Sequence, residues 1–377
     1  MLNFILPRTN INLYDDMKCS SVHEKNRDRD GRYPIIGTRN IYIDNINAQI
    51  NKFKTEWNIM TQIYYPYEFL GDVMKHSDKS VSFFSLRYAM HIELQHFIKH
   101  ELLNTNVTFQ TLVFYGNDEY KLNGMNYLQG KNKDNKHISV KYDATDTKII
   151  LSKNLSNIDH IIIGSHSTDD NLVNYPRNSL ICVLYMLCLQ KFEGSSIVKL
   201  YNIDTPLSIG IIGILSSMYL EVHLVKPITS KSESSEIFVV CKKFLPKNSN
   251  LFFMKFMGII HNLPEIDYGY DIFKREAINL QLINKINEIS IIFYQRQLEY
   301  IHLILNTSII QCRTTDTKKN IRPMINENNT KVLSIIKNNV NKCLDWTSKF
   351  HKPIPISSTP EINTQILRHL YDNVIQS

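Results

Sequence analysis

Glycine is scarce in this chain: there are 12 among 377 residues, and no two are spaced G-x-G. Average usage is about 7%, so a cofactor turn built on closely spaced glycines is excluded. The six cysteines (Cys19, Cys182, Cys188, Cys241, Cys312 and Cys343) form no C-x-x-C pair, and most sit in apolar runs. That pattern predicts no disulfide framework and a reducing, intracellular setting, cytoplasmic or nuclear. Long apolar runs are missing too. "LICVLYMLCL" (180–189) and "LSIGIIGILSSMYL" (207–220) fall short of the ~18–20 residues a bilayer requires, so no membrane partner is expected. "MLNFILPRTN" has no basic segment leading into an apolar one, and no signal peptide is read there.

What is present describes an ordinary globular protein, 43% hydrophobic and 21% charged, long enough for one large domain or two. The net charge of +7 is compatible with a polyanionic partner without demanding one. Abundant Asn, Ile and Lys point to an AT-rich genome, in keeping with a virus-encoded protein.

Residues 1–40 read as a tail or linker, since 18–34 mix charges of both signs without apolar periodicity. From 41 to 245 the patterning is α/β. Strand-like runs fall at 81–86, 109–116, 137–142, 160–166, 195–201, 221–227 and 237–244. Helical runs at 89–103, 178–192 and 206–219 lie between several of them. Pro206 suits a first helical turn. Such alternation predicts a mostly parallel sheet with ligands at the carboxyl ends of its strands. The last two runs are joined by only about ten residues, too few for a helical crossover, and so should pair antiparallel. Residues 246–377 carry helical spacing at 276–305 and 331–349, a helical C-terminal appendage.

Lys199 lies in an otherwise apolar run, "SSIVKLY". By pattern alone it is either a strand-end lysine reaching solvent along its stem or a crowded amine able to act as a base. The surrounding segments add context. "IVKLYNIDTPLSIG" and "VKPITSKSESSEIFVVCKKF" resemble the closing half of the FtsJ-like ribose 2′-O-methyltransferases, above all the mRNA cap-specific ones. Lys199, Thr205, Pro206, Ser208, Gly210, Lys226, Pro227, Thr229, Ser230, Ser235, Glu236, Val239, Val240, Cys241 and Lys242 match that family's pattern in order and without a gap. Weaker likeness reaches back to about 46, including "GNDEYKLNGMNY" (116–127), and Trp346 with "KPIPI" loosely resembles the family's late motif.

The resemblance implies a Rossmann-like methyltransferase fold over 41–245, S-adenosylmethionine as cofactor and capped RNA as substrate. It also implies a Lys-Asp-Lys-Glu tetrad that activates the ribose 2′-hydroxyl by general-base chemistry. Lys199 is then the central lysine and Glu236 the glutamate, with Lys52 the first lysine and Lys54 its fallback. Ser165 stands at the aspartate position, with Asp169 and Asp170 just beyond it. The family's glycine-rich cofactor loop falls on "YAMHIEL" (88–94), so Tyr88, Ala89, Met90 and His91 take the cofactor positions together with Asp143. Lys231 and Ser234 stand where the family has an arginine and an asparagine that contact substrate.

Two functions follow from this. Retained Lys199 and Glu236 imply an active RNA methyltransferase. Ser165 and the missing glycines imply a pseudo-methyltransferase, an RNA-binding or protein-interaction subunit working with a catalytic partner. Glu93, His96 and His100 share one helical face, read here as a solvated face and not a zinc site. The basic stretch at 130–137 is read as a solvated turn.

Overall fold

The computed structural model describes residues 1–9, 11, 17–21, 42, 45–46, 48–77, 86–99, 110–115, 136–141, 158–163, 175–245, 254–256, 258, 270–273, 277–314 and 330–350. They fall into two compact units. The first comprises 1–38, 97–228 and 235–293, and the second 39–96, 229–234 and 294–377.

The first unit is built on a seven-stranded sheet. Its strands are β1 (Leu2–Ile5), β3 (Gln110–Tyr115), β4 (Lys136–Lys141), β5 (Ile158–Ile163), β6 (Gln190–Tyr201), β7 (Tyr219–Lys226) and β8 (Glu236–Phe244). They are ordered β1-β7-β8-β6-β5-β3-β4. β4, β3, β5 and β6 run parallel, whereas β8 lies antiparallel to both β6 and β7. The short link between β7 and β8 thus gives the antiparallel pair expected of it. A separate two-stranded pair joins β2 (Met17–Ser21) to β9 (Tyr270–Phe273).

Three features differ from the sequence reading. Residues 2–5, expected in a tail, form β1 and pair antiparallel with β7. Four residues are too short a run for alternation to stand out, and pairing on β7 supplies what local pattern lacks. The stretch 246–377, expected to be helical, also contributes β9. Of the run 81–86, 81–85 lie outside the described residues and Leu86 opens a helix. In the sheet itself β3 pairs directly with β5.

Two helices, α4 (Tyr175–Leu189) and α5 (Pro206–Met218), supply much of the core of this unit. α5 begins cleanly because Thr205 is its N-cap. The Thr205 hydroxyl oxygen accepts from the Ser208 amide at 3.2 Å, and Pro206 occupies the first turn, where a missing N–H costs nothing. Eleven of its residues, Leu207, Ser208 and Gly210 through Met218, are buried, as befits a helix apolar nearly all round. At Gly210 an added Cβ would meet the Ile272 side chain at 3.1 Å, so the missing side chain lets β9 approach α5 closely. Alternation sends Val198, Leu200, Ile237, Val239 and Cys241 into this core and turns Lys199, Tyr201, Glu236 and Phe238 to the opposite face.

β6 begins earlier than alternation suggests, because a bulge interrupts it. Ile158 pairs with Gln190 but His160 pairs with Ser195. Glu193 adopts a left-handed backbone, φ 60°, and the Gln190 side-chain amide fills the gap in the ladder. Its Nε2 donates to the Ile158 carbonyl at 2.9 Å and the Asp159 carbonyl at 3.1 Å.

The second unit is helical. It holds α1 (Lys54–Tyr64), α2 (Leu70–Ser77), most of α3 (Leu86–Lys99), the later part of α6 (Leu280–Thr314) and α7 (Thr330–Phe350). α7 buries Ile336, Val340, Cys343, Trp346 and Thr347 along one stripe, the spacing that made it readable as amphipathic. Its Asn339 amide donates to the Ile63 carbonyl at 2.8 Å, satisfying an acceptor that the end of α1 leaves without a helical partner. No helix among the described residues is long and apolar enough to cross a membrane.

The bulge yields a first prediction. An added Cβ at Gly194 would lie 2.8 and 2.9 Å from the Lys191 and Asp159 carbonyl oxygens. Gly194→Ala should therefore lower stability by about 1–3 kcal/mol, whereas Glu193→Gly should raise it by up to about 1 kcal/mol through relief of the left-handed backbone. Urea unfolding midpoints of the two variants measure both effects.

Candidate active site

β6 and β8 bring two ionisable side chains together by register alone. Lys199 stands opposite Phe238 and Tyr201 opposite Glu236, so Lys199 and Glu236 are diagonal neighbours on one sheet face, within reach of long side chains. The Lys199 Nζ lies 2.7 Å from Glu236 Oε2, with the two side chains only 6% and 9% exposed. The same amine sits 4.8 Å from the centre of the Tyr201 ring, and the Lys226 Nζ donates to the Glu236 backbone carbonyl at 3.4 Å. All of this occurs at the carboxyl end of β6, where sheets of this type place their chemistry.

After Tyr201 the chain turns through Asn202 in a left-handed conformation, φ 51°, which asparagine tolerates better than most residues. The Thr205 amide donates to the Asn202 carbonyl at 3.2 Å, closing the turn into α5. Lys199 therefore occupies a firmly anchored strand end.

Burial pulls the Lys199 amine downward. The Glu236 carboxylate, with Tyr201 and the hydrogen bonds to both, outweighs it, and the net shift is above the usual lysine value of 10.5. Lys199 thus holds its proton at neutral pH. A further cation beside the pair would lower that affinity, and a further carboxylate would raise it.

Lys52 and Lys54 are exposed residues of the second unit, on either side of Phe53, the N-cap of α1. Lys231 and Ser234 also belong to that unit, the first exposed and the second half-buried. Ser165, Asp143, Asp169, Asp170, His100 and the stretch 116–127 lie outside the described residues.

The place of the expected cofactor loop, 88–94, is continuous helix within α3. Tyr88 and His91 are helical there, and Ala89, Met90, Ile92, Glu93 and Leu94 are buried. Beyond a helix's first turn its amides bond to carbonyls four residues back, so those of Met90 onward are committed to the helix. These residues do not fit the amide cradle that the family resemblance assigns to the cofactor.

Glu93 corrects the sequence reading. Taken as part of a solvated helix face, it is fully buried, and His96 is half-buried with its ring edge-on to Phe350 at 5.4 Å. Glu93 Oε1 accepts from the Thr229 amide, the Thr229 hydroxyl and the Trp346 indole N–H. Two of these donors come from one residue 136 positions away and the third from a residue 253 positions away, so helical spacing gave no sign of them. Tyr201 was missed as well; its place two residues after Lys199, hence on the same strand face, was the available signal.

No family model matches the chain. Over 66 residues it is 40% identical to the inactive cap-specific mRNA (nucleoside-2′-O-)-methyltransferase 1B of Caenorhabditis briggsae. Over 67 residues it is 41% identical to the cap-specific mRNA (nucleoside-2′-O-)-methyltransferase 1 of Bos taurus, and over 67 residues 39% identical to that of Homo sapiens. Each match spans 18% of this chain and 8% of the relative. A segment of the chain is therefore related in sequence to methyltransferases. Among solved structures, a phosphoethanolamine N-methyltransferase 2 of Haemonchus contortus is similar at a TM-score of 0.30 and 14% identity. That likeness covers 43% of this chain and 39% of the other.

The ion pair makes a second prediction. Glu236→Ala leaves a buried ammonium without its anion and should lower stability by about 3–5 kcal/mol, while the double change Lys199→Met, Glu236→Leu should restore most of it. Because the folded-state Lys199 value is raised, the pair's contribution is full below the ordinary lysine range and lost as pH climbs through the folded value. The stability gap between the native chain and the Lys199→Met, Glu236→Leu double variant should hold constant from neutral pH to about pH 10 and shrink above it. A gap that changes near pH 7 in urea titrations would contradict this.

Proposed function

We propose that the chain is an FtsJ-like, cap-type RNA ribose 2′-O-methyltransferase homologue that engages the ribose of capped RNA through Lys199 and Glu236. The observation that carries this reading is the buried Lys199–Glu236 pair, 2.7 Å apart at a strand's carboxyl end, in the stretch whose residues resemble the family's pattern. The names of the curated relatives, all cap-specific mRNA methyltransferases or an inactive form of one, support the substrate class.

In the active form of this reading a bound S-adenosylmethionine would supply the methyl group. Lys199 takes the ribose hydroxyl proton, for which it must first lose its own. Glu236 fixes the amine's direction, and the resemblance assigns to Lys52 the cation that would lower its proton affinity. Ser165, in place of an acid, would leave the set one carboxylate short.

A second reading is favoured by the helix at 88–94. With no amide cradle there, and with Lys199 protonated, the chain is a pseudo-methyltransferase that binds capped RNA as a subunit beside a catalytic partner. A charged Lys199 serves that role well, since an ammonium can donate to a ribose oxygen without titrating.

Binding of a 5′-capped RNA, weakened by Lys199→Ala, is expected under both readings, and its absence would overturn the proposal. Calorimetric titration with S-adenosylmethionine separates them: no heat at millimolar cofactor leaves only the second. If methyl transfer is seen, Lys199→Ala should abolish it. Its rate should then climb with pH as Lys199 gives up its proton. A rate independent of pH, or one unchanged in Lys199→Ala, would assign the base elsewhere.

A further inference from the structure

The link between β7 and β8 is not a loose loop. Within the second unit its backbone is held from three elements. The Thr229 amide and hydroxyl donate to Glu93 Oε1 of α3 at 3.1 and 2.6 Å. The Thr229 carbonyl accepts from the Tyr65 hydroxyl, just past α1, at 2.6 Å. The Glu233 carbonyl accepts from Gln297 Nε2 of α6, also at 2.6 Å. The Ser234 amide donates to the Lys231 carbonyl at 3.1 Å and closes a turn.

The residues of this arrangement differ sharply in exposure. Glu93 is buried to 0% exposure and Thr229 likewise, whereas Lys231 at the turn is exposed, its amine 5.8 Å from the centre of the Tyr65 ring. Three donors converge on one oxygen of the Glu93 side chain, the third being the Trp346 indole at 2.9 Å. A polar group buried only for stability is commonly replaceable by an apolar side chain. One that fixes a backbone segment beneath an exposed cation has a further use, since ordering each residue on contact with a ligand would otherwise cost about 1–2 kcal/mol.

We propose that Glu93 is a positioning residue that preorganises Thr229–Ser234 as a platform presenting Lys231 to an RNA backbone phosphate. The inference rests on the RNA-binding reading above. Lys231 is the contact, and Glu93 acts through it.

The test measures binding of a fluorescently labelled, 5′-capped RNA oligonucleotide to the full chain by anisotropy across a salt series. Lys231→Ala should weaken binding and reduce the slope of log affinity against log salt by about one. Glu93→Leu should weaken binding on the order of tenfold through lost preorganisation, and Glu93→Gln should recover most of that, because its side-chain carbonyl still accepts from Thr229 and Trp346. In a Lys231→Ala background the Glu93→Leu penalty should largely vanish; equal penalties in both backgrounds would overturn the inference and leave RNA binding standing. No binding by the native chain would overturn the RNA-binding reading and this inference with it. Thr229→Val and Trp346→Phe each remove one donor from Glu93. They should show the same non-additivity in smaller measure, and they decide the matter if Glu93→Leu does not fold.

Discussion

The placement of β8 between β6 and β7 is the constraint on which the candidate site depends. It is antiparallel to both neighbours, so its first residue, Glu236, comes to lie beside the carboxyl end of β6. A strand pairing has period two, and a slip of one residue would turn Glu236 to the face occupied by Val198 and Leu200. Register is held because Ile237, Val239 and Cys241 are buried in the core with α4 and α5. The ion pair at 2.7 Å is thus a product of apolar packing on the far side of the same strand. Its charges need not supply the stability that positions them.

That arrangement fixes the chemistry Lys199 offers. Desolvation alone would make the amine a readier base, but a carboxylate at hydrogen-bond distance keeps the proton on it. Two buried opposite charges favour each other's ionised state, and an added cation would ease release of the proton. The pair is therefore better suited, as it stands, to donating a hydrogen bond than to accepting a proton. The helical state of 88–94 points the same way, since amides committed to a helix cannot also cradle a ligand.

Much of the sheet was legible in the sequence because its signals are local. Short apolar runs marked β6, β7 and β8. A cap threonine followed by proline marked the start of α5, where Thr205 accepts from Ser208. The short link after Lys226 implied antiparallel pairing, which β7 and β8 adopt. The pairing of Lys199 with Glu236 was legible for a different reason, through the family pattern in which both stand. β1 was not legible, since four residues carry too little periodicity. Nor was the bulge in β6, where Gln190 reaches back to Ile158 and Asp159. Glu93 misled outright: an acid on a helix is usually solvated, and its three donors come from Thr229 and Trp346, far along the chain.

By itself the sequence determined the strand faces, the helix boundaries near Thr205 and the presence of a lysine and a glutamate in a family-like order. Each of these follows from residues within a turn or a strand of one another, or from a pattern carried in linear order. Only the tertiary structure decided that Lys199 keeps its proton, that 88–94 is packed helix, and that Glu93 is a buried acceptor holding Thr229. Those outcomes depend on burial and on which distant groups meet, and desolvation and hydrogen bonding are properties of the packed environment that no local pattern contains.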